Sequence, residues 1–198
     1  MSVLLLAETS NGQLMEDGVA RALSGLGTLG VVDVLVCGAG WAQAADDAAR
    51  LQGVARVLLA QDPALAHGLA EPVAALVATL AGEYTHIAAA SSAYARNVLP
   101  RVAAMLDVMV LSDVTAVKDA ETFERPIYAG NAVQVVRSDD TVKVFTLRTA
   151  TMPPVGRNAA PVPVSAVSVP ADPGLSAWVE DRIITSESPE LTAAKVVV

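Results

Sequence analysis

The sequence predicts an α/β protein with three layers, in which helices cover both faces of a doubly wound, mostly parallel sheet. Four short apolar segments each precede a segment with helical periodicity before Asp107. Apolar residues make up 53% of the chain and aromatic residues only 4%, so Ala, Val and Leu must form the core. After Asp107 the β-rich segments follow one another directly. This change predicts an antiparallel β extension.

The first two strand-and-helix units show the alternation clearly. The run VLLLAE (3–8) predicts a buried strand, and apolar residues recur at helical spacing between residues 14 and 26. The run VVDVLVCG (31–38) predicts the second strand. An alanine-rich second helix is expected over residues 42–51.

The next two units repeat the pattern. The third strand is expected at VARVLLA (54–60), followed by a helix over 72–81 with Pro72 as its first residue. The fourth strand is expected at THIAAA (85–90), followed by a helix within 91–107 that is kinked at Pro100. Four such units in a row imply parallel strands joined by right-handed crossovers.

Three β-rich segments complete a first domain that we place at residues 1–150. They are VMVLSDVTAV (108–117), RPIYAGNAVQVV (125–136) and TVKVFTLRTA (141–150). The linkers KDAET and RSDD are too short to hold a crossover helix. The segments are therefore expected to add antiparallel strands to the edge of the parallel sheet, from about residue 108 onward.

The last quarter of the chain has a different composition. Six of the eleven prolines fall between Thr151 and Pro173, which predicts an extended linker over 151–174. Residues 175–184 are expected to form a short helix in which Trp178 is a packing anchor. The final stretch, PELTAAKVVV (189–198), is typical of the beginning of a buried strand. Residues 175–198 are therefore expected to lead into a further domain.

Charge and composition exclude several functions. The net charge of −8 opposes binding to nucleic acid, and no apolar run is long enough for a membrane span. Cys37 is the only cysteine, has apolar neighbours, and is expected to be a buried thiol. The start MSVLLLAE carries no basic leader, so we expect a bacterial cytoplasmic protein.

Common catalytic and cofactor motifs are missing. CGAGWAQ has Gln43 where a dinucleotide fingerprint needs its third glycine, so an NAD-linked oxidoreductase is disfavoured. No P-loop and no nucleophile elbow occur. His67 and His86 lie apart and are expected to be structural; with one cysteine they make no metal cluster. We therefore expect no catalytic residue and no metal site.

One candidate binding site lies in SSAYARNVLPR, where the fourth strand ends and a helix begins. Backbone N–H groups at the helix start, with Ser91, Ser92, Arg96 and Asn97 nearby, could hold an anion or a nucleotide phosphate. Helix capping by Ser91 or Ser92 and an exposed arginine would produce the same residues. Both interpretations stay open from the sequence.

A second candidate is FERPIYAGNA (123–132). It concentrates two aromatic residues with Arg125 and Asn131 in a tight β-β connection, although aromatic residues are rare in this chain. A plain hairpin or a contact between subunits would both account for it.

Several long strings resemble the α subunit of the electron-transfer flavoproteins. They are SVLLLAE, HIAAASSAYARNVLPRVAAMLDV, VMVLSDV, FERPIYAGNA, KVFTLRTA, DPGLSAWVEDRI and PELTAAKVVV. Their order fits the N-terminal part of that subunit, and the match covers essentially the whole chain. Only residues 153–169 carry no resemblance.

The resemblance implies a fold and a role. Members of this family are αβ heterodimers of Rossmann-like, adenine-nucleotide-hydrolase-like domains. They carry electrons on one FAD from acyl-CoA and other dehydrogenases, as in fatty acid β-oxidation, to a membrane quinone oxidoreductase. The FAD is expected on a second α domain that is absent from this chain, and AMP on the β subunit. No FAD-binding residue can therefore be assigned here.

The resemblance favours a scaffold that binds a β subunit. We expect the antiparallel extension, with Arg125, Tyr128 and Asn131, to form that interface, because edge strands are natural pairing surfaces. The proline-rich tether would let the flavin domain move against a fixed base. The alternative is a stand-alone adenine-nucleotide-binding module that uses Ser91, Ser92 and Asn97.

Overall fold

The computed structural model of the protein describes residues 1–182, and everything below concerns this range. No helix within it is long and apolar enough to cross a membrane. The strands are β1 (Ser2–Leu6), β2 (Thr9–Ser10), β3 (Gln13–Leu14), β4 (Val31–Gly38), β5 (Val54–Gln61), β6 (His86–Ala90), β7 (Val110–Val114), β8 (Ala116–Val117), β9 (Thr122–Ile127), β10 (Ala132–Arg137), β11 (Lys143–Leu147) and β12 (Val164–Ala166). The α-helices are α1 (Glu16–Gly25), α2 (Ala42–Ala48), α3 (Ala70–Leu80) and α4 (Ala93–Met105). Short 3-10 turns lie at Pro63–Leu65, Ala81–Glu83, Tyr128–Gly130 and Thr149–Thr151.

A seven-stranded parallel sheet forms the centre of the molecule, in the order β12-β5-β4-β1-β6-β11-β7. Helices α1 and α2 pack on one face, and α3 and α4 on the other. The predicted fold class, a three-layer doubly wound α/β fold with an antiparallel extension, is confirmed.

Side chains of the central strands alternate between two cores. In β1, Val3 and Leu5 face α1 and α2, whereas Leu4 and Leu6 face α3 and α4. All four are at most 2% exposed. The strand is therefore apolar without interruption, as expected for a strand buried on both faces.

The helix starts differ slightly from those predicted. Helix α3 begins at Ala70, so Pro72 is its third residue and not its first. A proline is tolerated there because the N–H groups of the first turn have no acceptor within the helix. Helix α4 runs through Pro100 as one element, and Ser92 is its N-cap.

The prediction that all three late segments add antiparallel strands to the sheet edge is wrong for β7 and β11, which are both parallel strands of the main sheet. Strand β11 inserts between β6 and β7 and is parallel to both. Strands β8, β9 and β10, with the turn at Tyr128–Gly130, form a separate three-stranded antiparallel sheet, here called the ribbon. A parallel connection needs a long crossover but not a helix, and the ribbon is that crossover between β7 and β11.

Aromatic packing holds the ribbon on the parallel sheet. Phe123 of β9 and Phe145 of β11 are both fully buried, with ring centroids 5.0 Å apart. His86 meets Phe145 edge-on, and its Nε2 lies 2.8 Å from the carbonyl oxygen of Ala120. A carbonyl only accepts, so Nε2 carries the proton, and burial lowers the pKa of this imidazole. The predicted structural role of His86 is confirmed.

The proline-rich segment lies against the body over much of its length. The N–H of Val155 donates to Ala20 of α1, and that of Val162 donates to Ala49 after α2. The segment then pairs as β12 with β5. The expectation of a free tether therefore does not describe residues 155–167, since backbone groups without a helix partner bond to the body.

Residues 175–182 form no helix, in contrast to the prediction, and the rest of that expected helix lies outside the described residues. Their side chains contact the body instead. The ring of Trp178 stacks on His67 at 4.0 Å, and Ser176 Oγ donates to Glu71. Trp178 thus packs on one face against His67, but it is 44% exposed and lies in no helix, so it is not the helical packing anchor that was predicted. The strand expected at the end of the chain also lies outside the described range.

Gly38 allows a close approach of Trp41, the N-cap residue of α2. A Cβ on residue 38 would lie 2.0 Å from Cε3 of the Trp41 ring. We expect Gly38→Ala to lower the free energy of unfolding by about 1–3 kcal/mol, because the ring must leave its place. Urea denaturation followed by far-UV circular dichroism measures this.

Gly82→Ala is the matched control, since no atom lies within 4 Å of the position of its Cβ. Its unfolding free energy should stay within about 0.5 kcal/mol of the parent value. Equal stability of the two variants would contradict the packing described for Trp41.

Candidate functional site

The carboxyl ends of the parallel strands form the edge at which such sheets bind ligands. The switch point lies between β1 and β6, since α1 and α4 follow them on opposite faces. Two clefts of about 410 and 570 Å³ open at this edge. Glu8, which follows β1, lines both.

Both clefts carry acidic side chains. Asp181 joins Glu8 in the smaller cleft, whereas Glu16 and Asp17 join it in the larger one. Within residues 1–182, neither cleft is lined by a lysine or an arginine. A phosphate group would meet carboxylates here without a compensating cation.

Cys37, near the end of β4, is buried and only 3% exposed, as predicted. Burial raises the pKa of its thiol to about 11, and a contact of 3.7 Å with the Tyr94 hydroxyl only partly opposes this. The thiolate, which is the nucleophilic form, is therefore disfavoured at neutral pH.

The residues of the predicted anion site have three different environments. Ser92 caps α4 by accepting a hydrogen bond from the N–H of Ala95 at 3.2 Å. Ser91 Oγ instead donates to Asp113 at 2.7 Å. Asn97 lies on the exposed side of α4. The structure thus joins Ser91 to Arg96 by a hydrogen bond, whereas the Asn97 side chain makes no hydrogen bond to either within residues 1–182.

A β-bulge in β7 brings Asp113 to this place. Leu111 pairs with Phe145 and Val114 with Leu147, so Ser112 and Asp113 stand opposite the single residue Thr146. Asp113 has a left-handed φ of 64°, and its N–H donates to Thr146 Oγ1 at 2.9 Å. Such bulges re-aim a side chain, here the carboxylate of Asp113.

Asp113 is the acceptor for three groups at the carboxyl edge. Besides Ser91, Arg96 Nη2 donates to its Oδ1 at 2.8 Å, and Arg148 Nη2 donates to its Oδ2 at 2.5 Å. Arg96 Nε also donates to Ser91 Oγ at 3.0 Å. The cluster joins the ends of β6, β7 and β11 to the first turn of α4.

The electrostatics of the cluster favour the ionised carboxylate. Burial alone would raise the pKa of Asp113, but the hydrogen bonds from Arg148, Ser91 and Arg96 outweigh it and hold that pKa at about 2. The Asp113 side chain is 17% exposed, so solvent screens these bonds only in part.

Asp113 therefore accepts hydrogen bonds from two of the residues that the sequence suggested for an external anion, Ser91 and Arg96. Sequence reasoning found Ser91 and Arg96 but missed Asp113 and Arg148. The polar pair Ser112-Asp113 inside an otherwise apolar strand was the available signal. It is typical of a bulge, yet the sequence does not indicate what the carboxylate would contact.

The residues predicted for a partner interface also lie in two different places. Tyr128 and Asn131 lie in the turn of the ribbon, where Tyr128 is 80% exposed. Arg125 points the other way: its Nη2 donates to Ser112 Oγ at 3.1 Å. Only the first two lie on the outer tip.

Comparison with known proteins identifies the family. The domain family described as "Electron transfer flavoprotein domain" matches residues 3–172. The chain belongs to the electron transfer flavoprotein family. This confirms the resemblance predicted from the sequence.

Electron transfer flavoprotein relatives match the chain over its length. The electron transfer flavoprotein subunit alpha of Paracoccus denitrificans is 55% identical over 198 residues, which cover 100% of this chain and 64% of that protein. The subunit alpha of Pseudomonas aeruginosa is 42% identical with the same coverage. The mitochondrial subunit alpha of Dictyostelium discoideum is 39% identical over 98% of the chain. The chain thus spans slightly less than two thirds of the curated relatives it matches.

The two clefts at the carboxyl edge do not fit the FAD after which flavoproteins are named. A pyrophosphate needs free N–H donors or cations. Both carboxyl-edge clefts carry carboxylates, and Arg96 and Arg148 already bond to Asp113. No step of electron transfer is therefore assigned to residues 1–182.

Asp113→Asn tests the carboxylate cluster without changing the backbone, because Asn tolerates the left-handed φ equally well. We expect a loss of about 2 kcal/mol of unfolding free energy at pH 7. Folding lowers the pKa of Asp113 from 3.8 to about 2, so its stabilisation is present above pH 4 and disappears as the pH falls to 2. Denaturation of both proteins from pH 7 to pH 2 measures the difference.

The control is Asp17→Asn. The Asp17 side chain is 74% exposed, and the substitution removes its ion pair with Arg21. Its effect should stay below about 0.5 kcal/mol at every pH. If Asp113→Asn matched the parent at pH 7, or if its deficit persisted at pH 2, the cluster would not have the described electrostatics.

Proposed function

We propose that this chain is the N-terminal scaffold domain of an electron transfer flavoprotein α subunit and has no catalytic residues of its own. The observation that carries the proposal is the match to a subunit alpha at 55% identity over the whole chain. The bonds from Ser91, Arg96 and Arg148 to Asp113 support a scaffold over a nucleotide-binding domain, because these three side chains are already engaged.

The complete protein would pair this domain with a β subunit and one FAD. We propose that it carries electrons from acyl-CoA and other dehydrogenases to a membrane quinone oxidoreductase, in the bacterial cytoplasm. The FAD would be bound by the part of the α subunit that this chain does not include, and AMP by the β subunit. The chain spans 64% of its relative from Paracoccus denitrificans, which leaves room for such a part.

The ribbon is the surface that we propose for the β subunit. Strand β10 is its edge, and Val133 and Val135 on one side of that strand are 62% and 63% exposed. Their alternation places both on the face opposite Phe123, which is buried. An exposed edge strand with apolar side chains is suited to pairing with a second chain.

The turn of the ribbon extends this surface. Tyr128, Ala129 and Gly130 all have left-handed φ values, of 50°, 55° and 90°. Such a backbone holds the exposed Tyr128 ring and Asn131 at the tip, and strained turns persist where the surrounding structure defines them. A large aromatic side chain held in this way is typical of a binding hot spot.

Substitution on the ribbon tests the interface. Val135→Lys and Tyr128→Ser should each weaken association with the co-expressed β subunit at least about 30-fold, as expected when a hot-spot contact is lost. Affinity purification followed by size-exclusion chromatography would measure the heterodimer.

Val31→Lys is the matched control, because Val31 is 58% exposed but begins β4 in the parallel sheet. It should leave association unchanged. Normal heterodimer formation by both ribbon variants would disprove the interface and leave the family assignment intact.

Nucleotide binding separates the scaffold from the alternative module at the edge carrying Ser91, Ser92 and Asn97. Isothermal titration calorimetry of this chain with AMP, ATP and FAD should give no binding below about 1 mM, since Asp113 holds the available donors. Micromolar binding of AMP or ATP would favour the module instead.

A further inference from the structure

Arg125 has a hydrogen-bonding group that the described chain leaves unpaired. It lies in β9, and its Nη2 donates to Ser112 Oγ. Its Nε is buried and has no acceptor among residues 1–182. An unpaired buried donor on a charged group costs free energy, so an acceptor that reaches it would be bound favourably.

A cavity of about 340 Å³, here called the bulge cavity, lies beside this arginine. Helix α4 contributes Arg96 and Pro100, and strand β7 contributes Val110 and the bulge. The ribbon closes it with Arg125 and Pro126. The space is large enough for a small organic acid or one side chain, but too small for a dinucleotide.

Charge around the bulge cavity favours an anion. Two arginines, Arg96 and Arg125, and one carboxylate, that of Asp113, line the cavity, and Arg148 pairs with the same carboxylate from outside the lining. This local excess of positive charge occurs in a chain whose net charge is −8. Arg96 and Arg148 pair with Asp113, which leaves Arg125 as the cation available to a ligand.

The apolar residues that line the bulge cavity favour one class of anion over another. Pro100, Val110 and Pro126 offer apolar surface next to the guanidinium. A phosphate dianion would need more donors and would be repelled by Asp113. A monocarboxylate with a short aliphatic chain matches both the apolar lining and the guanidinium. Its aliphatic chain would contact the apolar residues, and arginine bonds carboxylates in a planar, bidentate manner.

We propose that the bulge cavity is a carboxylate-binding site anchored by Arg125. The ligand is either a small free carboxylic acid or the carboxylate of a glutamate or aspartate side chain from a bound subunit. The two share one chemistry. The site does not depend on the ribbon interface or on any electron-transfer role proposed above.

The Nε–Hε resonance of Arg125 in ¹⁵N-labelled chain reports the site directly. Arg125→Lys assigns it, as the signal missing from the spectrum. Titration with sodium butyrate should shift this resonance with a Kd on the order of 1 mM, a normal value for so few ligand atoms. Inorganic phosphate and butylamine, added at the same concentration and ionic strength, should shift it far less.

Two variants complete the test, and for them butyrate binding is followed by the shift of the backbone amide resonance of Ser112. Arg125→Lys should weaken butyrate binding at least about 10-fold, because the planar pair of donors is lost. Arg137→Lys is the control: Arg137 lies on β10 and pairs with Glu121, and its loss should not change binding. An Arg125 resonance that ignores 20 to 50 mM butyrate, on the order of tens of Kd values, would overturn the proposal, as would a stronger response to phosphate.

The same resonance distinguishes the two sources of the carboxylate. In the complex with a β subunit, an Arg125 signal that is already shifted and no longer responds to butyrate identifies a carboxylate of the partner. A signal that still responds identifies a free acid. Both outcomes support a carboxylate site, and neither is needed for the result on the chain alone.

Discussion

The bulge in β7 is the constraint on which the outer half of the molecule depends. One extra residue opposite Thr146 turns Asp113 into a left-handed conformation and aims its carboxylate at Ser91, Arg96 and Arg148. These contacts fasten the ends of three strands and the start of a helix with one side chain. The neighbouring Ser112 fixes Arg125 and thereby one strand of the ribbon. A regular strand would direct these two side chains to other places.

The bulge can contact the ends of several strands because β11 lies inside the sheet, next to β7. Its insertion between β6 and β7 buries Phe145 and makes β7 an edge strand. The ribbon is then the crossover, and Phe123 replaces the apolar face that a helix would supply. Covering a parallel sheet requires apolar area, and an antiparallel ribbon provides it while leaving its own outer face free.

Local sequence predicts much of this fold because runs such as VVDVLVCG and Ser92 before α4 carry their own signals. The position of β11 in the sheet has no such local signal. Its apolar pattern fits either an antiparallel edge strand or a central parallel strand, and contacts with residues distant in sequence determine which of the two forms. The same limit applies to the candidate site. Ser91 and Arg96 were identifiable as anion ligands, but only the three-dimensional structure shows that the anion is Asp113. The helix predicted over 175–184 is not present over residues 175–182, where Trp178 instead stacks on His67, a contact distant in sequence.

The choice between a nucleotide-binding domain and a scaffold depends on one carboxylate. An internal carboxylate is present at a high effective concentration, so a free phosphate that competes for the same donors must displace it and also bear the cost of association. With its pKa held at about 2, Asp113 stays ionised at any physiological pH. Ser91, Arg96 and Arg148, at the edge where related architectures bind ligands, are thereby already bonded to an anion of the chain itself. Farther out, along β7 and the ribbon, the Nε of Arg125 lacks an acceptor and β10 pairs only with β9, so its other edge has no partner strand within residues 1–182. The same bulge therefore has two effects: through Asp113 it engages the polar side chains of the carboxyl edge, and through Ser112 it positions Arg125 in the ribbon.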